Sequence, residues 1–144
     1  GNVFMIGSGA NSWASKKQPV VALSTMEAEY IAAAFCACQC VWIKRILKEI
    51  GVEEESATII HCDNSSTISL SKHPVLHGKS KHIEVRFHYL RELVYGEIVK
   101  LEYCATENQV ADIFTKPLKL EQFEKLRALL GMVKLSEVSL IQES

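Results

Sequence analysis

From Ser24 to Gly51 the chain reads as one long amphipathic helix, and no other stretch restricts the fold as much. Ser24-Thr-Met-Glu27 has a capping-box pattern, in which the Ser24 hydroxyl accepts from the third amide while the Glu27 carboxylate reaches back. Apolar or small residues then recur at Ala28, Ile31, Ala32, Phe35, Trp42, Ile46 and Ile50, which is helical periodicity. Gly51 is a natural stop. A helix with one apolar face must bury it against another layer, and the next segment offers one. Ala57 to Cys62 is short and β-branched, a buried strand by length and content.

The other elements alternate around this pair. Val3 to Ile6 and Ala10 to Ala14 flank Gly7-Ser-Gly9, which predicts a β-hairpin. Pro19 to Leu23 reads as extended. A second helix is expected from Ser65 to Lys72, ended by Pro74. A third runs from Ile83 to Tyr95, with Ile83, Phe87, Leu90 and Val94 on one face and Gly96 as its stop. Ile98 to Tyr103 alternates like a half-exposed strand. Residues 107–116 read as helical up to Pro117, and Glu121 to Leu130 as a last amphipathic helix. The 144 residues suit one α/β domain over residues 1–131, followed by a tail over 132–144.

Bulk properties exclude several classes. No apolar stretch approaches the roughly 20 residues that span a bilayer. The longest, Ile31 to Cys40, is interrupted by Gln39. No secretory leader is visible. A net charge of −1 argues against binding nucleic acid through bulk charge while leaving room for a local basic patch. Five cysteines, an odd number, fit free thiols in a reducing compartment, hence cytoplasm or nucleus rather than secretion. Cys36 and Cys40 share a helix face while Cys38 points away, so the three cannot close one metal site.

The chain has only two aspartates, Asp63 and Asp112. A carboxylate at the end of a buried strand, as at Asp63, is costly unless it caps a helix or meets a cation. Asp63 or Asn64 could be the N-cap of the following helix. Glu29 stands in the same helical turn as Glu27, which already has a capping role. Asp112 lies in the helical reading Glu107-Asn-Gln-Val-Ala-Asp112. Each alone has a bland reading, as cap or solvated acid. Jointly, three carboxylates from separate elements can converge at a sheet end and hold a hard cation, Mg²⁺ or Mn²⁺.

Between Lys72 and Arg91 the chain sets Lys72, Lys79, Lys81, Arg86 and Arg91 against Glu84 alone. Such a run can follow a phosphate backbone, or be a solvated loop and helix face. Lys16 and Lys17 form a second basic spot. His73 and His77 are spaced i,i+4, but Pro74 and Gly78 oppose the helix that a zinc pair would need.

The ordered motifs Asn11-Ser-Trp-Ala-Ser-Lys-Lys-Gln18, Leu23-Ser-Thr-Met-Glu-Ala-Glu-Tyr30, His61-Cys-Asp-Asn64, Ser80-Lys-His-Ile-Glu-Val-Arg86 and Ala111-Asp-Ile-Phe-Thr-Lys-Pro117 resemble a known family. It is the ribonuclease H region at the C-terminus of copia-type retrotransposon polyproteins, and the resemblance covers residues 1–131. It implies a ribonuclease H-like mixed sheet flanked by helices and cleavage of RNA in RNA–DNA hybrids. It also implies a reverse transcriptase domain upstream in the parent polyprotein, and no membrane partner. Glu29, Asp63 and Asp112 match the family's metal-binding acids. Two Mg²⁺ (or Mn²⁺) ions about 4 Å apart would be held there. Lys16, Lys17, Lys79, Lys81, His82 and Arg86 become the candidates for contacting the hybrid, recognised by shape, phosphates and 2′-hydroxyls.

Two departures from the family follow. Its first, central strand carries the first catalytic aspartate, and this chain begins just after it. The expectation is an N-terminally truncated domain with impaired cleavage, in which either the middle of the sheet is unpaired or the hairpin closes against Ala57–Cys62. The loop before Asp112 has no histidine, leaving Glu107 as a candidate for assisting proton transfer. The alternative is a non-catalytic remnant that binds nucleic acid or protein.

Overall fold

The structure is a computed structural model describing residues 1–18, 21–73 and 81–133, with residues 81–83 described through their backbone alone. It is mixed α/β, with four α-helices and two small sheets among the described residues. The chain divides into two compact units, Gln18–Ala105 and Gly1–Lys17 with the chain from Thr106 onward.

The larger unit is built on the long helix. Helix α1 spans Thr25–Glu49, strand β3 Thr58–Cys62, helix α2 Ser65–Lys72, helix α3 Lys81–Tyr95 and strand β4 Val99–Tyr103. Strands β3 and β4 pair in parallel, from Thr58 opposite Val99 to Cys62 opposite Tyr103. Parallel strands need a crossover, which α2 and α3 supply. The capping box forms with its partner shifted by one residue. Ser24 Oγ accepts from the Glu27 amide at 3.1 Å, while a Glu27 carboxylate oxygen accepts from the Leu23 amide at 2.8 Å.

The face that α1 buries differs from the expected one. Tyr30, Ile31, Ala33, Ala34, Ala37 and Cys40 are buried, whereas Trp42 is 59 % and Ile50 68 % exposed. The small side chains permit close approach of α3, which contributes Phe87, Leu90 and Leu93 to the core. Strands β3 and β4 close it with Ile60, Val99 and Leu101. The helix as formed runs 25 residues and is long and apolar enough to cross a membrane by length and composition, unlike the short apolar run read from the sequence. Here its small-residue face is core.

Tyr30 and Phe87 are the centre of this core. Their rings stack with centroids 3.8 Å apart, and the Tyr30 hydroxyl donates to the Phe87 carbonyl at 3.1 Å. Burial pushes the Tyr30 phenol up to about 12, with the Arg91 charge pulling weakly the other way. A phenol harder to ionise when folded contributes stability that is complete below its unfolded value, about 10, and is lost as pH rises toward its folded value. Unfolding by urea is therefore expected to become easier from pH 10 to 12 by up to about 1.4 kcal/mol per pH unit from this group. The Tyr30→Phe variant should lack that increment. Equal slopes in the two proteins would remove Tyr30 as its source.

In the smaller unit, strands β1 (Asn2–Ile6) and β2 (Gly9–Ala14) form the expected antiparallel hairpin, with an irregularity between Phe4 and Met5. Gly7 turns it with φ +61. Helix α4, Leu120–Leu129, lies against it: the Ala10 amide donates to the Leu130 carbonyl at 3.1 Å. Trp13 stacks on Phe114, with centroids 5.8 Å apart and planes 6° from parallel.

The helix expected over residues 107–116 is instead two 3₁₀ turns, Thr106–Asn108 and Val110–Phe114. Gln109 between them is extended, at φ −73 and ψ 96. Contacts to α4 hold the turns: Gln122 Nε2 donates to the Glu107 carbonyl and Lys125 Nζ to Asn108 Oδ1.

The described strands make two two-stranded sheets, β1 with β2 and β3 with β4. The extended reading at Pro19 to Leu23 lies partly outside the described residues. So does the tail beyond Val133.

Candidate metal centre

Strand β3 ends at Cys62 and delivers Asp63 to the mouth of the parallel pair. The pairing continues one step further, since the Cys104 amide donates to the Cys62 carbonyl at 2.9 Å. The next residue, Asn64, is the N-cap of α2, and its Oδ1 accepts from the Thr67 amide at 3.0 Å. Of the two candidate caps, the helix uses Asn64.

Glu29 comes to the same place from α1. The start of α1 is fastened to the start of α2 by Thr67, fully buried, whose hydroxyl donates to the Met26 carbonyl at 3.3 Å. This bond holds the turn that carries Glu29 beside the strand end that carries Asp63. Both carboxylates are half-buried. One oxygen of each and the Cys62 sulfur all lie within 4.8 Å of one another. Two carboxylate oxygens at that separation suit a small divalent cation that both can reach.

Cys62 is buried, and its thiol donates weakly to the Asn64 carbonyl at 3.6 Å. Burial pushes its pKa up, and the negative charges of Glu29 and Asp63 push in the same direction. Its sulfur therefore stays protonated while no cation is near. Sequence reasoning missed both Cys62 and Thr67. The cysteine read as a buried strand residue, and the threonine had no signal beyond its place two residues into a helix.

Asp112 belongs to the smaller unit. It lies in the second 3₁₀ turn and accepts from Lys116 Nζ at 2.9 Å, its side chain 13 % exposed. Its backbone carbonyl also accepts the amides of Thr115 and Lys116, which stop the turn before Pro117. The larger unit thus brings Glu29 and Asp63 together, and Asp112 is placed by contacts of its own.

The basic candidates divide. Lys16 and Lys17 are exposed. The Arg86 guanidinium lies 4.6 Å over the Phe35 ring, a stacking contact that covers part of the cation. Lys81 and His82 stand in the first turn of α3, and Lys79 lies outside the described residues.

Comparison with known proteins adds the context. A Pol polyprotein from transposon TNT 1-94 of Nicotiana tabacum is 42 % identical over 132 residues, 92 % of this chain. Two from Arabidopsis thaliana, from transposons RE2 and RE1, are 34 % and 33 % identical over 134 residues. The homologues of this chain are retrovirus-related transposon Pol polyproteins. The chain spans about a tenth of the length of these Pol polyproteins, 9 % to 10 % of each. No protein-family model and no solved structure matches it.

Proposed function

We propose that the chain is the ribonuclease H segment of a copia-type Pol polyprotein and takes part in metal-dependent cleavage of RNA in RNA–DNA hybrids. The observation that carries this reading is the convergence of Glu29 and Asp63, from a helix and a strand end, to within 4.8 Å. The strands lend further support: one described pair is antiparallel and the other parallel, as a mixed sheet of the kind the resemblance implies requires.

The donor set fits Mg²⁺ or Mn²⁺, because both carboxylates offer hard oxygens from elements fixed by the core. When bound, such ions would supply a nucleophilic water and stabilise the leaving oxygen. The chain's own residues do the positioning. Thr67 and Asn64 fix the start of α2, and the Tyr30–Phe87 stack fixes α1 against α3. The resemblance also names Asp112 as an acid of the family, and in the smaller unit that carboxylate accepts from Lys116 Nζ.

The test uses an RNA–DNA hybrid labelled on each strand, given to the 144-residue chain and to a longer Pol segment that carries it. In Mg²⁺ or Mn²⁺ the longer segment is expected to cut the RNA strand and spare the DNA, and chelation should stop it. Uncut RNA with folded protein from both would overturn the reading.

A further inference from the structure

The carboxylate pair has a soft neighbour that hard-cation chemistry does not call for. Cys62 is only 4 % exposed, yet its sulfur lies within 4.8 Å of an oxygen of Glu29 and of Asp63. The three side chains come from two separately anchored elements. Strand β3 fixes Cys62 and Asp63 through its pairing with β4, and α1 fixes Glu29 through the Thr67–Met26 bond. Sulfur is a poor ligand for Mg²⁺ and a strong one for Zn²⁺ or Cd²⁺, whereas carboxylates accept all of these ions. One sulfur and two oxygens make three protein donors, the number found in open zinc sites whose last position is left to solvent.

We propose that Glu29, Cys62 and Asp63 form a binding site for thiophilic divalent cations, Zn²⁺ or Cd²⁺, which compete there with Mg²⁺ and Mn²⁺. The site itself stands on the cluster's geometry. The competition rests on the hard-cation reading above. On binding, the S–H bond of Cys62 breaks as the sulfur–metal bond forms, and the proton passes to solvent. The weak contact to the Asn64 carbonyl is given up with it. The two carboxylates and the thiolate set three negative charges against the ion's two, and the half-exposed carboxylates leave the remaining charge within reach of solvent. A thiophilic ion seated this way uses the oxygens that a hard cation needs, and hybrid cleavage stops.

Cadmium is the probe, because a Cd–thiolate bond has an ultraviolet charge-transfer absorption that Cd–carboxylate bonds lack. The reduced 144-residue chain is titrated with Cd²⁺ beside Cys62→Ser, Glu29→Gln, Asp63→Asn and Cys104→Ser. The parent and Cys104→Ser should show the band at equal strength. Cys62→Ser should lose a Cd equivalent of it. Glu29→Gln and Asp63→Asn should weaken that equivalent at least about tenfold, since even outer partners of metal ligands are worth 10- to 100-fold. Cys62→Ala, which buries no hydroxyl, replaces the serine variant where circular dichroism shows that variant unfolded. A Cys62 variant with the full parental band, or acid variants with parental affinity, would overturn the site. Thiol-dependent Cd²⁺ binding without any Mg²⁺-dependent hybrid cleavage would keep this site and remove the nuclease reading. Cleavage indifferent to Zn²⁺ and Cd²⁺ would keep the nuclease reading and overturn the competition.

Discussion

Asp63→Asn is expected to lower metal-dependent hybrid cleavage by the Pol segment by at least about 100-fold, the upper end of what even outer partners of metal ligands contribute. The substitution keeps the size of the side chain and removes its charge. Asp63 and Glu29 present oxygens within 4.8 Å of each other, so on the proposed reading each would contribute to holding the same cation. An amide oxygen is a weaker ligand and cannot neutralise a divalent ion. Glu29→Gln should fall in the same direction, and the double variant should lose little more than either alone, because ligands of one site act as a unit. Mn²⁺ binding by calorimetry and hybrid cleavage read binding and turnover separately, and thermal unfolding checks that the variants fold. Near-parental cleavage by Asp63→Asn would sink the assignment of the centre.

The elements were largely legible in the sequence. The hairpin is written in its Gly7-Ser-Gly9 turn, α1 in its capping box and Gly51, and the crossover in Pro74 and Gly96. Less legible was which face of α1 is buried. Trp42, Ile46 and Ile50 are the heavier apolar residues, but the alanines and Cys40 are the ones buried, because small side chains admit a closer backbone. Hydrophobicity ranks side chains singly, while packing depends on how near two surfaces can come. The same limit hid the 3₁₀ turns at Thr106–Phe114, where contacts to α4 override a helical composition. At the site, Asp63 and Glu29 were visible as acids in the right places. Cys62 and Thr67 were not, because a thiol beside two carboxylates and a hydroxyl reaching the Met26 carbonyl exist only after α1, α2 and β3 meet. Asn64 could be read as a cap only as one of two equals. Geometry settled it through the bond from the Thr67 amide.

Phe87→Ala is expected to cost about 3–5 kcal/mol of stability, as truncation of a large buried aromatic does. The ring is 1 % exposed and stacked on Tyr30, so its removal loses both the transfer energy of the side chain and its contacts with the tyrosine. The surroundings cannot close the gap easily. The Tyr30 hydroxyl is held by the Phe87 carbonyl, and Ile31 and Leu90 are themselves fully buried. Against a total of roughly 5–15 kcal/mol for a natural domain, such a loss leaves the larger unit barely folded. Phe87→Leu keeps most of the volume and should cost about 1.5 kcal/mol or less. Urea denaturation of the parent and both variants measures this, with an unchanged slope showing that the unfolded state is the same. A loss below about 1 kcal/mol for the alanine variant would mean that α1 and α3 are not held together by this stack, given what such truncations cost elsewhere. The consequence reaches the metal centre, because Glu29 precedes Tyr30 in the chain. If α1 is released from α3, the carboxylate that meets Asp63 has no fixed position, and cation binding should fall in the order parent, Phe87→Leu, Phe87→Ala. The same order in stability and in Mn²⁺ affinity would show that the core aromatic pair positions the centre without touching it.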